Sequence, residues 1–230
     1  MMSAMAAHGW SFLDTFASGS PFGHSATARH TTWGDADIHR HMPGTADPDR
    51  TFAKFSDRAR VRDLAGVPCL VLDRVDQALV IMLHAARSGL MGIELSRAFQ
   101  DVRATWSALT LPEREELQRR ATELGAQLPV SIALGGDTTA FIGARDYELW
   151  HIAAYGGSRT QEWVARIKSA PTMRMRVSLV VRMALVNRHS LEARLHRPAT
   201  RTDMVMEFCA RAKAGVREIY QWARDGSSRP

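Results

Sequence analysis

The stretch "DRVDQALVIMLHAARSG" (Asp73–Gly89) decides the fold class, because the periodicity of the chain changes there. Val75, Leu79, Met82 and Ala86 recur at helical spacing, Asp73 stands in a capping position and Gly89 in a stop position. The pattern predicts a helix over 73–89, and beyond it the helical period continues almost without interruption. "IELSRAFQDVRATWSAL" (93–109) places Leu95, Phe99, Val102 and Trp106 on one stripe. "TLPEREELQRRATELGA" (110–126) has Thr110 as N-cap, acidic residues in its first turn and Gly125 as its stop. Further helices are predicted at 128–135, 144–155, 159–169 and 202–224, with Gly135-Gly136 and Gly156-Gly157 reading as breaks. "PTMRMRVSLVVRMALV" (171–186) has two readings, since its first half alternates like a strand and its second half does not.

Ahead of Asp73 the chain is richer in Gly, Pro, His and Thr. "DADIH" (35–39) alternates in strand fashion, and "GVPCLVLD" (66–73) is a short continuous apolar run after a Gly-Pro break. Between them, "DPDRTFAKFSDRARV" (47–61) reads as a helix with Asp47 as N-cap, Pro48 in the first turn, and Phe52 and Phe55 on one face. The expected class is α+β: a small strand-and-helix portion over 1–72, then a mostly helical region over 73–225. The end, 226–230, reads as a disordered tail.

With 230 residues and a net charge of +6, the chain has room for an ample core and a basic surface. Only Lys54, Lys168 and Lys213 are lysines, so the positive charge is almost all arginine, the side chain suited to planar recognition of phosphate and carboxylate. Arg174, Arg176, Arg182, Arg188, Arg194, Arg197 and Arg201 form either a solvated face or a basic surface for RNA or an acidic protein partner. Few aromatic residues lie among them, which gives no support to base stacking. Cys69 and Cys209 sit in apolar runs and read as reduced core residues, not a disulfide or zinc framework. "MMSAMAAHGW" lacks the pattern of a signal peptide, and "VSLVVRMALV" is too short to span a bilayer and carries Arg182. No membrane association and a cytoplasmic location are expected.

The chemistry-bearing residues concentrate in "ASGSPFGHSATARHTTWGDADIHRH" (17–41). A Gly-Ser turn, here Gly19-Ser20, can hold nucleotide phosphates, and carboxylates at alternate strand positions, here Asp35 and Asp37, can hold the Mg²⁺ that bridges them. By spacing, Gly19 and Ser20 are candidate nucleotide-binding residues, and Asp35 and Asp37 are candidate catalytic residues and metal ligands. His39 shares the strand side of the aspartates and His41 follows, which suits a transition metal equally. The rival reading is a polar loop and a strand end. A Ser-His-Asp triad has no Gly-x-Ser-x-Gly elbow to rest on. His84, near an apolar helix face, reads as a hydrogen-bonded, half-buried histidine.

Taken in order, "AAHGW" (6–10), "DADIHRHMPG" (35–44), "RTFAKF" (50–55), "GVPCLVLDRVDQALVIMLHAARSG" (66–89) and "LSRAFQDVRAT" (95–105) resemble a largely uncharacterised bacterial nucleotidyltransferase family. That family belongs to the polymerase-β-like superfamily and has a helical C-terminal region. The resemblance covers roughly residues 5 to 125. It implies a strand with Asp-x-His, a helix, a short strand, a helix with a Leu-His-Ala-Ala core, and a further helix with a central Asp, here Asp101. It also implies that Asp37 is the third carboxylate of a Mg²⁺-dependent site for an NTP. The phosphate-holding turn and first two carboxylates would then precede Met1. On that match the 1–72 portion is the remnant of a nucleotidyltransferase sheet, and Gly19-Ser20 is a loop.

Overall fold

The computed structural model describes residues 2–14, 16, 22–47, 50–87, 97–186, 188–195 and 197–226. The class is α+β: a few antiparallel strands in two small sheets toward the N-terminal side, then mostly helix. The chain divides into two compact units, Met1–Ile38 with Ser158–Pro230, and His39–Gly157.

In the first unit, α1 (Met2–Ala7) leads into a sheet of order β1 (Ser11–Phe12), β2 (Ser25–His30) and β3 (Gly34–His39). β1 pairs antiparallel with β2, with Ser11 opposite Arg29 and Phe12 opposite Ala28. Period-two alternation sorts the β2 side chains: Ala26 and Ala28 are fully buried, and Thr27 and Arg29 lie on the other face. The unit's helices are α8 (Arg159–Ser169), α9 (Met173–Ala184), α10 (Arg188–Leu195) and α11 (Arg201–Gly226). Ser158 and Gln161 close a capping box at the start of α8. At the start of α11, Thr200 and Asp203 cap one another and Arg197 adds a bidentate ion pair at 2.7 and 2.9 Å, holding the Asp203 carboxyl well below the usual range. The ambiguous segment 171–186 is helical over Met173–Ala184. Thr172 caps it by accepting from the Met175 N–H, and the Met-Arg alternation was only apparent periodicity.

In the second unit, α2 (Thr51–Ser56) and a hairpin of β4 (Arg60–Leu64) and β5 (Val67–Val71) precede a helical core. α3 (Arg74–Arg87) is its centre and packs against α4 (Arg97–Ala108), α5 (Leu111–Leu124), α6 (Gln127–Ala133) and α7 (Tyr147–Tyr155). The predicted stripe faces inward: Val75, Leu79, Met82 and Ala86 are all buried, as are Val102, Leu117, Leu124, Ile132 and Trp150. Asp73 caps α3, its carboxylate accepting from the Asp76 N–H at 2.8 Å. Thr110 and Glu113 form a capping box on α5, which ends at Gly125 in the left-handed conformation.

Three local expectations give way. The helix predicted over 47–61 ends at Ser56, and Arg60–Val61 begin a strand. Phe52 is exposed while Phe55 is buried, so the two do not share a buried face. Cys209 is exposed on α11 and Cys69 is partly exposed on β5, so neither is a core residue. Among the described residues no helix is long and apolar enough to cross a membrane. Of the expected tail 226–230, Gly226 is the last residue of α11, and 227–230 lie outside the described residues.

Candidate functional site

Asp35 and Asp37 stand at alternate positions of β3, and both are exposed on one strand face, as the sequence pattern requires. Each meets a β2 side chain. Arg29 donates from Nε and Nη2 to the two Asp35 oxygens at 2.7 and 2.9 Å. This guanidinium holds the Asp35 carboxyl below the usual carboxylate range. Thr27 donates its hydroxyl to Asp37 Oδ1 at 2.7 Å. Gly19 and Ser20 lie outside the described residues.

The fit of Mg²⁺ to these groups follows from the contacts. Magnesium requires near-octahedral oxygen coordination, usually with at least one or two carboxylates open to it. Both Asp35 oxygens are engaged by Arg29, and one Asp37 oxygen is engaged by Thr27. Among the described residues, no three His, Cys, Asp or Glu side chains are grouped to hold a metal ion. The described residues therefore do not by themselves fit a bound Mg²⁺. The set Asp35, Asp37 and His39 does not form a transition-metal cluster either.

The last residue of β3, His39, belongs to the second unit, where it lines a cavity of about 250 Å³ together with Met42, Val80, Ile81, His84, Ala85, Arg87, Ala98 and Asp101. Two helices build it. Val80, Ile81, His84, Ala85 and Arg87 come from the last two turns of α3, where spacings of three and four bring side chains onto one face. Ala98 and Asp101 come from the first turn and a half of α4, also three apart. Arg87 donates from Nη2 to His84 Nδ1 at 2.8 Å. An arginine carries no acceptor, so His84 Nδ1 is the accepting nitrogen and its proton sits on Nε2. His39 Nδ1 and Arg87 Nη1 are buried from solvent. The cavity thus has apolar walls with a guanidinium, two imidazoles and a carboxylate set among them.

His84 is exposed on its helix and hydrogen-bonded to Arg87, more open than a half-core histidine. Arg87 was not singled out by sequence; its position one turn after His84 was the available signal. Of the C-terminal arginines, Arg188 pairs with Glu192, Arg194 with Glu207, and Arg197 with Asp203, so the basic face is narrower than the charge count suggests. Comparison with models of known protein families, with curated proteins and with solved structures gives no match for this chain.

Proposed function

We propose that this chain is a nucleotide-handling protein of the polymerase-β-like nucleotidyltransferase class, whose reaction is transfer of a nucleotidyl group from an NTP to a hydroxyl or phosphate acceptor. One observation carries the reading. His39 of the Asp-x-His strand, His84 of the Leu-His-Ala-Ala helix and Asp101 of the following helix come from three separated motifs, and all three line one cavity. A few polar side chains converging on a mostly apolar pocket are the usual pattern of a binding site.

In this reading the α3–α4 cavity takes part of the nucleotide. The Mg²⁺ that such chemistry uses would need further carboxylates beyond those the described residues bring together. Titration calorimetry with ATP and Mg²⁺ tests it. Heat of binding is expected for the native chain and at least about ten-fold weaker binding for Asp37→Ala, the loss of one charged contact. Absence of heat in both sinks the reading.

A second reading is a non-catalytic helical interaction module whose basic face meets an acidic protein partner or RNA. It is favoured by α9, where Met173, Val177, Val180 and Val181 form an exposed apolar ridge beside exposed Arg174 and Arg182. An apolar ridge flanked by arginines suits an acidic amphipathic helix better than a polyanion, since RNA offers little to cover Met and Val. Binding of an RNA oligonucleotide is expected to be weak and to vanish as salt rises from about 50 to about 200 mM. RNA binding that persists at the higher salt would favour RNA over the acidic protein.

A further inference from the structure

We propose that the outer edge of β4 is a docking site for an extended acidic segment of a partner protein, which joins the β4–β5 hairpin as a third strand. A two-stranded hairpin alone is marginal in water, and a third strand or a packed face is what secures it. β4 and β5 form a sheet of their own, with no further strand beside them among the described residues. Every residue of β4 is exposed, and Val61, Leu64, Val67 and Leu70 are each more than half exposed. Val61 lies opposite Leu70 and Leu64 opposite Val67, so the hairpin shows water apolar side chains on both faces.

One edge is blunted and the other is open. Ala65 and Gly66 both have positive φ, and a turn of that kind closes with a bond from the Val67 N–H to the Leu64 carbonyl. Ladder bonds recur at alternate pairs, so the Asp63–Pro68 and Val61–Leu70 pairs turn their backbone groups outward. On the β5 edge one of these residues is Pro68, which has no N–H to offer. On the β4 edge Val61 and Asp63 each present an N–H and a carbonyl. The edge of β4 is the one that an added strand can bond.

The side chains along that edge select the occupant. Arg60, Arg62 and Leu64 alternate onto one face, and Val61 and Asp63 onto the other. Arg60 and Arg62 have no carboxylate partner among the described residues, whereas Asp63 accepts from the Gly66 N–H at 2.8 Å. A strand with acids at alternate positions meets both arginines at once and sets an apolar residue against Leu64. A second copy fits badly. Two β4 edges joined antiparallel about a two-fold axis repeat a like charge in any register that pairs the middle of the strand. Arg62 meets itself, Arg60 meets Arg62, or Asp63 meets itself, and like charges directly opposite are destabilising. RNA answers the arginines but leaves Val61 and Leu64 uncovered.

The probe is a fluorescent peptide carrying the run Val-Thr-Glu-Val-Glu, which in antiparallel order meets Leu64, Asp63, Arg62, Val61 and Arg60. It is titrated into the full chain and followed by anisotropy. Saturable binding is expected, at least about ten-fold tighter than for a peptide of the same composition with adjacent glutamates, which fall on opposite faces. Val61→Pro removes an outward N–H and spares the β4–β5 ladder, so it is expected to weaken binding at least about ten-fold with the circular dichroism unchanged. N-methylation of the peptide valine opposite Val61 is expected to do the same to the native chain, and it decides alone if Val61→Pro misfolds. Arg62→Glu is expected to reverse the preference toward a peptide with lysines in place of the glutamates. Absence of saturable binding overturns the proposal, as does binding that neither Val61→Pro nor N-methylation touches. Equal binding of the two acidic peptides overturns the strand pairing. A dimer in sedimentation that Val61→Pro dissolves gives the edge to a second copy. RNA binding lost in Arg62→Glu, with no binding of the peptide, gives it to nucleic acid, and either result overturns the proposal.

Discussion

Asp76→Ala is expected to destabilise the His39–Gly157 unit by about 3–5 kcal/mol, measured as a drop in the urea midpoint followed by helical circular dichroism. Asp76 is fully buried at the start of α3, and Arg120 of α5 is almost as deeply buried. Arg120 donates to the two Asp76 oxygens at 2.9 and 3.2 Å, to the Lys54 carbonyl at the end of α2 and to Glu123. Arg58 stands 3.9 Å from the same carboxylate and binds Asp73 and Glu116 at 2.6 Å each. Truncating Asp76 leaves the Arg120 guanidinium buried without its main counter-charge, and that desolvation, more than the lost attraction, sets the cost. The control follows from the same argument: Asp76→Leu with Arg120→Met removes both charges and is expected to recover most of the loss. A single-mutant cost below about 1 kcal/mol would show that water reaches the pair.

The same network sets the acid response. Burial raises the Asp76 carboxyl above its ordinary value, against the pull of Arg120. Partial burial also opposes ionisation of Asp73, but the Asp76 N–H and Arg58 outweigh it, and the Arg120 hydrogen bond holds Glu123 low. Groups held low contribute stability that is present above the ordinary carboxylate range, near pH 4, and is lost as pH falls through their lower folded values. Asp76, held high, works in the opposite sense, so the acid loss is smaller than the number of ion pairs suggests.

Local periodicity made the helical half readable. Val75, Leu79, Met82 and Ala86 are one stripe because α3 is packed on several sides, and Thr110 with Glu113 fixes the start of α5 through purely local bonds. The β4–β5 hairpin was hidden for an equally local reason. Its turn puts Ala65 at φ 54° and Gly66 at φ 84°, so alanine stands where asparagine would announce a two-residue turn. Asp63 supports that turn by accepting from the Gly66 N–H, a bond with no sequence signature of its own. The candidate site divides along the same line. The shared face of Asp35 and Asp37 follows from strand alternation, but their engagement by Arg29 and Thr27 depends on which residues of β2 lie opposite. His39, His84 and Asp101 were marked by the family resemblance, and no spacing rule links positions 39, 84 and 101. Arg120 and Asp76, 44 residues apart, carry no pattern at all.

Trp150→Ala is expected to cost about 3–5 kcal/mol, because it empties the largest buried side-chain volume in the unit. Its effect reaches the cavity through one turn of chain. Gly44 lies at φ +89°, and a Cβ there would sit 2.8 Å from Trp150 Cζ2, 3.0 Å from Pro129 Cγ and 3.1 Å from Leu83 Cδ2. The indole, α3 and α6 thus clamp the backbone that follows His39 and Met42, two of the cavity's lining residues. Gly44→Ala is expected to cost about 2–4 kcal/mol, combining the left-handed strain on alanine with overpacking against the ring. In the Trp150→Ala background the shortest of the three contacts is gone, and the cost of Gly44→Ala should fall by about 1 kcal/mol or more, the backbone strain and the Pro129 and Leu83 contacts remaining. Trp150→Phe separates the ring's volume from its polar edge: it keeps most of the packing and loses the Nε1 hydrogen bond to Asp146 at 3.1 Å. Additive single-mutant costs would mean that the indole does not clamp the turn. A coupling of about 1 kcal/mol or more would place Trp150 among the residues that hold the cavity's first wall in position.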